Sequence, residues 1–210
     1  LRKSSDSGWR RQRIHHRINR PIQYKLHGPG IDYAKADWDT LIILDACRAD
    51  LFEEVTDTNQ WDEYEQVTSG TGATRTWFER KWDGKYGDIV YVSGSPILSR
   101  CAPGSFHRVV ECWQDAVSED LNGPDPEVTT KAAIEAHKQY PDKRIVVHYM
   151  QPHDPFLQDP DLHFTEFAGT EQWDVNADPR ATDVWEALRA GIVDRDEVWD
   201  AYGRNLEYVL

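Results

Sequence analysis

The stretch from Thr40 to Asp50, T-L-I-I-L-D-A-C-R-A-D, constrains the fold more than any other part of the chain. Thr40 to Leu44 are β-branched or aliphatic throughout, with no alternation of polar and apolar positions. Such a run reads as a strand buried on both faces, the centre of a parallel sheet covered by helices. It ends on the carboxylate of Asp45, with Cys47, Arg48 and Asp50 close behind. Ligands of open α/β sheets sit beyond the carboxyl ends of the strands. A strand that delivers an acid to that edge therefore offers a rigid oxygen ligand for a metal ion. Capping of the following helix is the competing role for Asp45.

The rest of the chain alternates strands with helices. Ala49 to Val55 reads as a short helix, Gln60 to Gln66 as a polar connection, and Val67 to Trp82 as a small-residue loop running into a helix. Asp88 to Val92 and Arg144 to Met150 read as buried strands, with a third expected over Phe106 to Cys112. Asp125-Pro126 opens a helix to Tyr140 with both a cap and a first-turn proline. Thr165 to Asp178 reads as loop, and Pro179 to Ala190 and Arg195 to Leu210 as two helices. The order implies an α/β fold, a mostly parallel sheet flanked by helices.

Composition narrows the function classes. The net charge is −13, Asp outnumbers Glu 23 to 14, and Arg outnumbers Lys 16 to 8. An acidic, Lys-poor balance suits a protein kept soluble at high salt, and it argues against nucleic acid as the main partner. Residues 1–26 are the opposite, with eight Lys or Arg against Asp6 alone. We therefore divide the chain into a basic arm, 1–30, and an α/β domain, 31–210. The arm is suited to an anionic membrane or polymer, or to the acidic body of its own chain. Three cysteines, Cys47, Cys101 and Cys112, make no disulfide framework and have no zinc-site spacing. With no apolar run long enough for a bilayer span or a signal peptide, a cytoplasmic setting is expected. The apolar stripe from Val198 to Val209 is still in progress where the chain stops, which reads as truncation.

Three positions share one context, the carboxyl end of a strand or the loop beyond it: Asp45, the hydroxyl-rich loop from Thr68 to Thr76, and His153-Asp154. Carboxylate, histidine and a hydroxyl before a helix are the parts needed for metal-assisted transfer of an anionic group. The helix N-terminus adds N–H donors for the anion. Thr74 also suits a helix cap, and His153, between Pro152 and Pro155, a structural turn.

In their order these segments resemble the sulfatase-like branch of the alkaline phosphatase superfamily. The matching segments are Leu44-Asp45-Ala46-Cys47-Arg48-Ala49-Asp50, the loop Ser69 to Thr74, and His148-Tyr149-Met150-Gln151-Pro152-His153-Asp154-Pro155-Phe156, with Tyr91 to Pro96 as a further strand end. The resemblance runs from about Asp39 to the end of the chain. It implies a three-layer sandwich and a metal-dependent hydrolase of sulfate or phosphate esters. Asp45 matches the first metal-binding carboxylate and Thr74 the nucleophile, itself a metal contact. His153 matches a histidine facing the metal or the substrate anion, and Arg48 is an anion contact. The implied cofactor is one or more divalent ions, with zinc, calcium, magnesium and manganese all admissible, and the implied partner is an anionic ester.

Two departures qualify this. Cys101-Ala102-Pro103-Gly104-Ser105 echoes only half of the cysteine motif that sulfatases convert to formylglycine, so Cys101 reads as a loop residue and Thr74 as the better nucleophile. No Asp-His-Gly motif, which completes the family's metal site, occurs. A phosphotransferase acting on an envelope glycan or lipid, and a degenerate domain that binds an anion or a partner without catalysis, are the alternatives.

Overall fold

The computed structural model describes residues 28, 30–101, 104–116, 123–164, 181 and 183–210. All of the basic arm but residues 28 and 30, and the loop expected over Thr165 to Asp178, lie outside them. The fold is α/β: four parallel strands, β1 (Thr40–Asp45), β2 (Tyr86–Ser93), β3 (Phe106–Val110) and β4 (Arg144–Pro152), stand in the order β1-β4-β2-β3. Helices α1 (Ala49–Val55), α2 (Thr74–Lys81), α3 (Leu98–Cys101), α4 (Trp113–Ala116), α5 (Pro126–Gln139), α6 (Val184–Ala190) and α7 (Arg195–Val209) connect and flank them.

The two-residue period of the strands sorts the core into layers. Ile89, Tyr91 and Val146 face Phe78 and Trp82 of the α2 region together with Leu98. Val90, Val92, Ile145, Val147 and Tyr149 face Ala133 and Ala136 of α5. A further cluster joins Leu51 of α1, Phe156, Val184 and Ala187 of α6, and Val198, Ala201, Tyr202 and Leu206 of α7. Helix starts follow their caps: Asp125, Asp183 and Asp194 accept from the backbone N–H groups of Glu127, Glu186 and Asp196. At the opposite edge of the sheet Arg144 bonds Asp88, lies 4.5 Å over the Trp38 ring and donates to the carbonyls of Ala34 and Ala36.

Several expectations are corrected. β1 is an edge strand among the described residues, paired with β4 alone, and Ile42 is 60% exposed. Leu41 and Ile43 pack against the α2-side core, whereas Ile42 points to the other face, beyond the cover of α5. An unbroken apolar run fits a central strand, but sequence alone does not say which neighbours cover it. β3 ends at Val110, before Cys112, and β4 extends two residues further, to Pro152. Cys101 is the last residue of the short helix α3 rather than a loop residue, and it packs on the α2-side core. α6 starts at Val184, where Asp183 caps it, instead of at Pro179.

The strand order creates the site. Chain order runs from β1 to β2, yet β4 enters between them, so the connections leaving β1 and β4 part at their carboxyl ends. That parting is where open sheets bind ligands. Close approach there depends on Gly94, whose N–H donates to the His148 carbonyl at 2.8 Å. A Cβ at Gly94 would stand 2.8 Å from Thr129 Oγ1 and 3.1 Å from that carbonyl oxygen.

Candidate active site at the carboxyl end of the sheet

Asp45, Thr74 and His153 meet at this edge. The β1–β4 register shifts between Leu44 and Asp45, so that Asp45 stands opposite Pro152. The His153 N–H then donates to the Asp45 carbonyl at 3.1 Å, tying the two strand ends together. Ala46, directly after, takes the left-handed conformation with φ 61°. That region is costly for a side chain bearing a Cβ, and its occupation at a strand end is typical of functional turns.

Asp45 is not a helix cap. The cap position of α1 belongs to Arg48, and Asp50 accepts from the Leu51 N–H. The Asp45 carboxylate instead receives the Thr74 hydroxyl, at 3.2 Å from Oδ1 and 3.4 Å from Oδ2. Thr74 is the first residue of α2; Ala73 holds the cap position and has no side-chain acceptor for the first-turn N–H groups. The Asp45 side chain is 12% exposed. Burial alone would raise its pKa, but His148, His153 and the Thr74 hydroxyl outweigh that and hold the carboxyl below its usual range.

His153 is half-buried. Its Nδ1 donates to the Asp154 carbonyl at 2.6 Å and lies 3.2 Å from Asp154 Oδ1, which also accepts from Trp185 Nε1 at 2.8 Å. Desolvation disfavours its cation, but Asp154, Asp45 and Asp183 together win, and the imidazole titrates above its usual value. The acidic neighbours thus favour the imidazolium form beside Asp45. Arg48 is directed elsewhere: it forks onto Asp50 at 2.9 and 2.5 Å and lies 5.3 Å over the Trp199 ring.

Two groups of residues were not assigned to the site from sequence. His148, 1% exposed, points from β4 towards Asp45, its Nε2 3.6 Å from Oδ2, while Tyr91 from β2 contacts its Nδ1 at 2.9 Å. The signal was a lone imidazole inside the apolar run R-I-V-V-H-Y-M, since a buried polar group needs a reason. The other group comes from α7. Tyr202 donates its hydroxyl to the Ala46 carbonyl, and Asn205 bonds the turn that carries His153.

The cysteines are free thiols. Burial pushes the Cys47 thiol up to about 11. At pH 8 iodoacetamide should alkylate it roughly 20-fold more slowly than an ordinary thiol of pKa about 8.5, because the small thiolate fraction outweighs the greater nucleophilicity. Peptide mass spectrometry over time measures this; alkylation at the rate of free cysteine would contradict a buried, protonated Cys47.

As a test for a metal ion, the donors are Asp45 and Thr74, two hard oxygens in contact, with the unpartnered Nε2 of His148 behind them. They suit one side of an ion. Among the described residues no group of three or more His, Cys, Asp or Glu side chains forms a complete shell. No helix among the described residues is long and apolar enough to cross a membrane. The chain matches no family model, no curated protein and no solved structure.

Proposed function

We propose that the chain carries the nucleophile side of a metal-assisted hydrolase acting on sulfate or phosphate esters, with Thr74 as nucleophile. The observation that carries this reading is the Thr74 hydroxyl bonded to the Asp45 carboxylate at the first turn of α2. Asp45 accepts the hydroxyl hydrogen and so leaves the oxygen lone pairs for attack on phosphorus or sulfur. The first-turn N–H groups of α2, which receive no side-chain cap from Ala73, are donors for the equatorial oxygens of the anion. His153 places positive charge at the same edge and has a proton for the departing alkoxide. A bound divalent ion, held in part by Asp45 and Thr74, would neutralise the transferred group and acidify the hydroxyl. The new bond is Thr74 Oγ to phosphorus or sulfur, the ester bond breaks, and water later releases the adduct. A reducing, cytoplasmic setting is supported by the three unpaired cysteines.

The test is hydrolysis of bis-p-nitrophenyl phosphate and p-nitrophenyl sulfate with zinc, calcium, magnesium or manganese added singly. Turnover of at least one ester, dependent on an ion, is expected. No turnover with any ion, together with no ion-dependent rise in melting temperature, would overturn the proposal.

A further inference from the structure

The side chain least explained by a nucleophile paired with Asp45 is His148. It lies on the α2 side of β4, 1% exposed, with the rings of Trp77, Phe78 and Tyr91 centred 6.3, 6.1 and 6.0 Å away. Its Nδ1 meets the Tyr91 hydroxyl at 2.9 Å. Its Nε2 is buried without a hydrogen-bond partner and stands 3.6 Å from Asp45 Oδ2. An orphaned buried nitrogen carries a desolvation cost, and such costs persist where the group serves the site.

The Tyr91 hydroxyl and the Asp45 carboxylate, on opposite nitrogens of the ring, together favour one tautomer. Tyr91 is fully buried, and desolvation together with the nearby charge of Asp45 raises its pKa well above the usual range, so it keeps its proton. The hydroxyl and Nδ1 could bond in either sense, but the Asp45 carboxylate before Nε2 only accepts, so a hydroxyl donating to Nδ1 is the arrangement that suits all three groups. The ring proton then resides on the other nitrogen, facing Asp45. We infer that Tyr91 and His148 form a buried positioning relay that aims an Nε2–H at Asp45 Oδ2 and thereby presents Oδ1 to the Thr74 hydroxyl. The gap of 3.6 Å is longer than a hydrogen bond. A small inward movement of the carboxylate would close it, as catalytic hydrogen bonds commonly tighten when substrate binds. Outer partners of this kind fix tautomer and orientation and are typically worth about 10–100-fold in activity.

The kinetic part of this inference rests on the ester-transfer proposal; the tautomer does not. The first measurement is nitrogen-resolved NMR of the ¹⁵N-histidine-labelled chain. His148 is expected to carry its proton on Nε2, and Tyr91→Phe is expected to bring in the Nδ1–H form. A proton on Nδ1 in the unaltered chain, or a tautomer indifferent to Tyr91→Phe, overturns the relay. The second measurement is turnover of whichever ester is cleaved. His148→Leu should lower kcat about 100-fold with KM within about threefold, as for loss of one oriented donor. His148→Gln, whose amide keeps an N–H near the Nε2 position, should recover to within about tenfold of the unaltered chain. Equal loss in both variants means that the N–H is not what matters, and overturns the relay. Should His148→Leu fail to fold by circular dichroism, the comparison passes to His148→Gln and Tyr91→Phe, the latter expected about tenfold down in kcat. If no ester is turned over, the ester-transfer proposal fails and the NMR result alone decides the relay.

Discussion

Thr74→Ala is expected to abolish ester turnover, by about 10³-fold or more in kcat, while the chain remains folded. A thousandfold loss corresponds to about 4 kcal/mol of transition-state stabilisation. That exceeds the roughly 1.5–3 kcal/mol that a hydrogen bond to a charged group adds to folding. The substitution removes the hydroxyl bonded to Asp45 at 3.2 Å together with the γ-methyl, and keeps a good helix former in the first turn of α2. Thr74→Ser separates chemistry from packing: it keeps the hydroxyl and should stay within about tenfold, the range of modest misplacement of a reacting group. Steady-state kinetics with the better of the two nitrophenyl esters, plus a search for a phosphoryl or sulfuryl adduct on Thr74 by mass spectrometry, decides the matter. Full activity in Thr74→Ala would falsify the assignment of the nucleophile.

The largest stability effect is expected at Asn205. This side chain is completely buried on α7. Its Oδ1 accepts from the Leu157 N–H at 3.2 Å, and its Nδ2 serves the carbonyls of Pro152, His153 and Pro155 at 3.2, 3.1 and 3.4 Å. The turn begins where β4 ends at Pro152, and this one amide meets the Leu157 N–H and the carbonyls of Pro152, His153 and Pro155. Asn205→Leu keeps the branched shape and the number of side-chain heavy atoms but leaves the Leu157 N–H and the carbonyls without the amide. Each buried group so orphaned costs about 1–3 kcal/mol. We expect a total loss of about 3 kcal/mol, or roughly 10 °C in Tm for a chain of this size. The exposed Glu207→Gln on the same helix should change stability by less than about 0.5 kcal/mol. Denaturant titration of both variants tests this; equal midpoints would mean that α7 does not hold the turn.

Much of the fold was legible because its signals are local. Caps at Asp125 and Asp194, the proline at Pro126 and the β-branched runs of β2 and β4 define elements through interactions within a few residues. The site was partly legible for a related reason. Asp45, Thr74 and His153 each lie where a strand or loop delivers a polar group to the sheet edge, and the structure brings all three there. Arg48 sits in the same segment, yet it is taken up by Asp50 and Trp199, contacts that its position after β1 does not reveal. His148 stood inside a strand run with no role assigned to it, because its contact with Tyr91 comes from another strand. Asn205 was hidden in an amphipathic helix, one polar residue on an otherwise apolar stripe.

By itself the sequence determined the class of fold, the α/β alternation, and which residues reach the carboxyl ends of β1 and β4. These follow from periodicity, capping and propensity, all short-range effects. Only the tertiary structure decided the strand order, the edge position of β1, and the meeting of Tyr91, His148, Asp45 and Thr74 in one line. Strand order depends on which loops close and which faces they cover, a balance among distant surfaces that no local pattern encodes. The contact between Thr74 and Asp45 exists because α2 packs against the sheet face bearing Val146 and His148, and side-chain packing of that kind is a property of the assembled core.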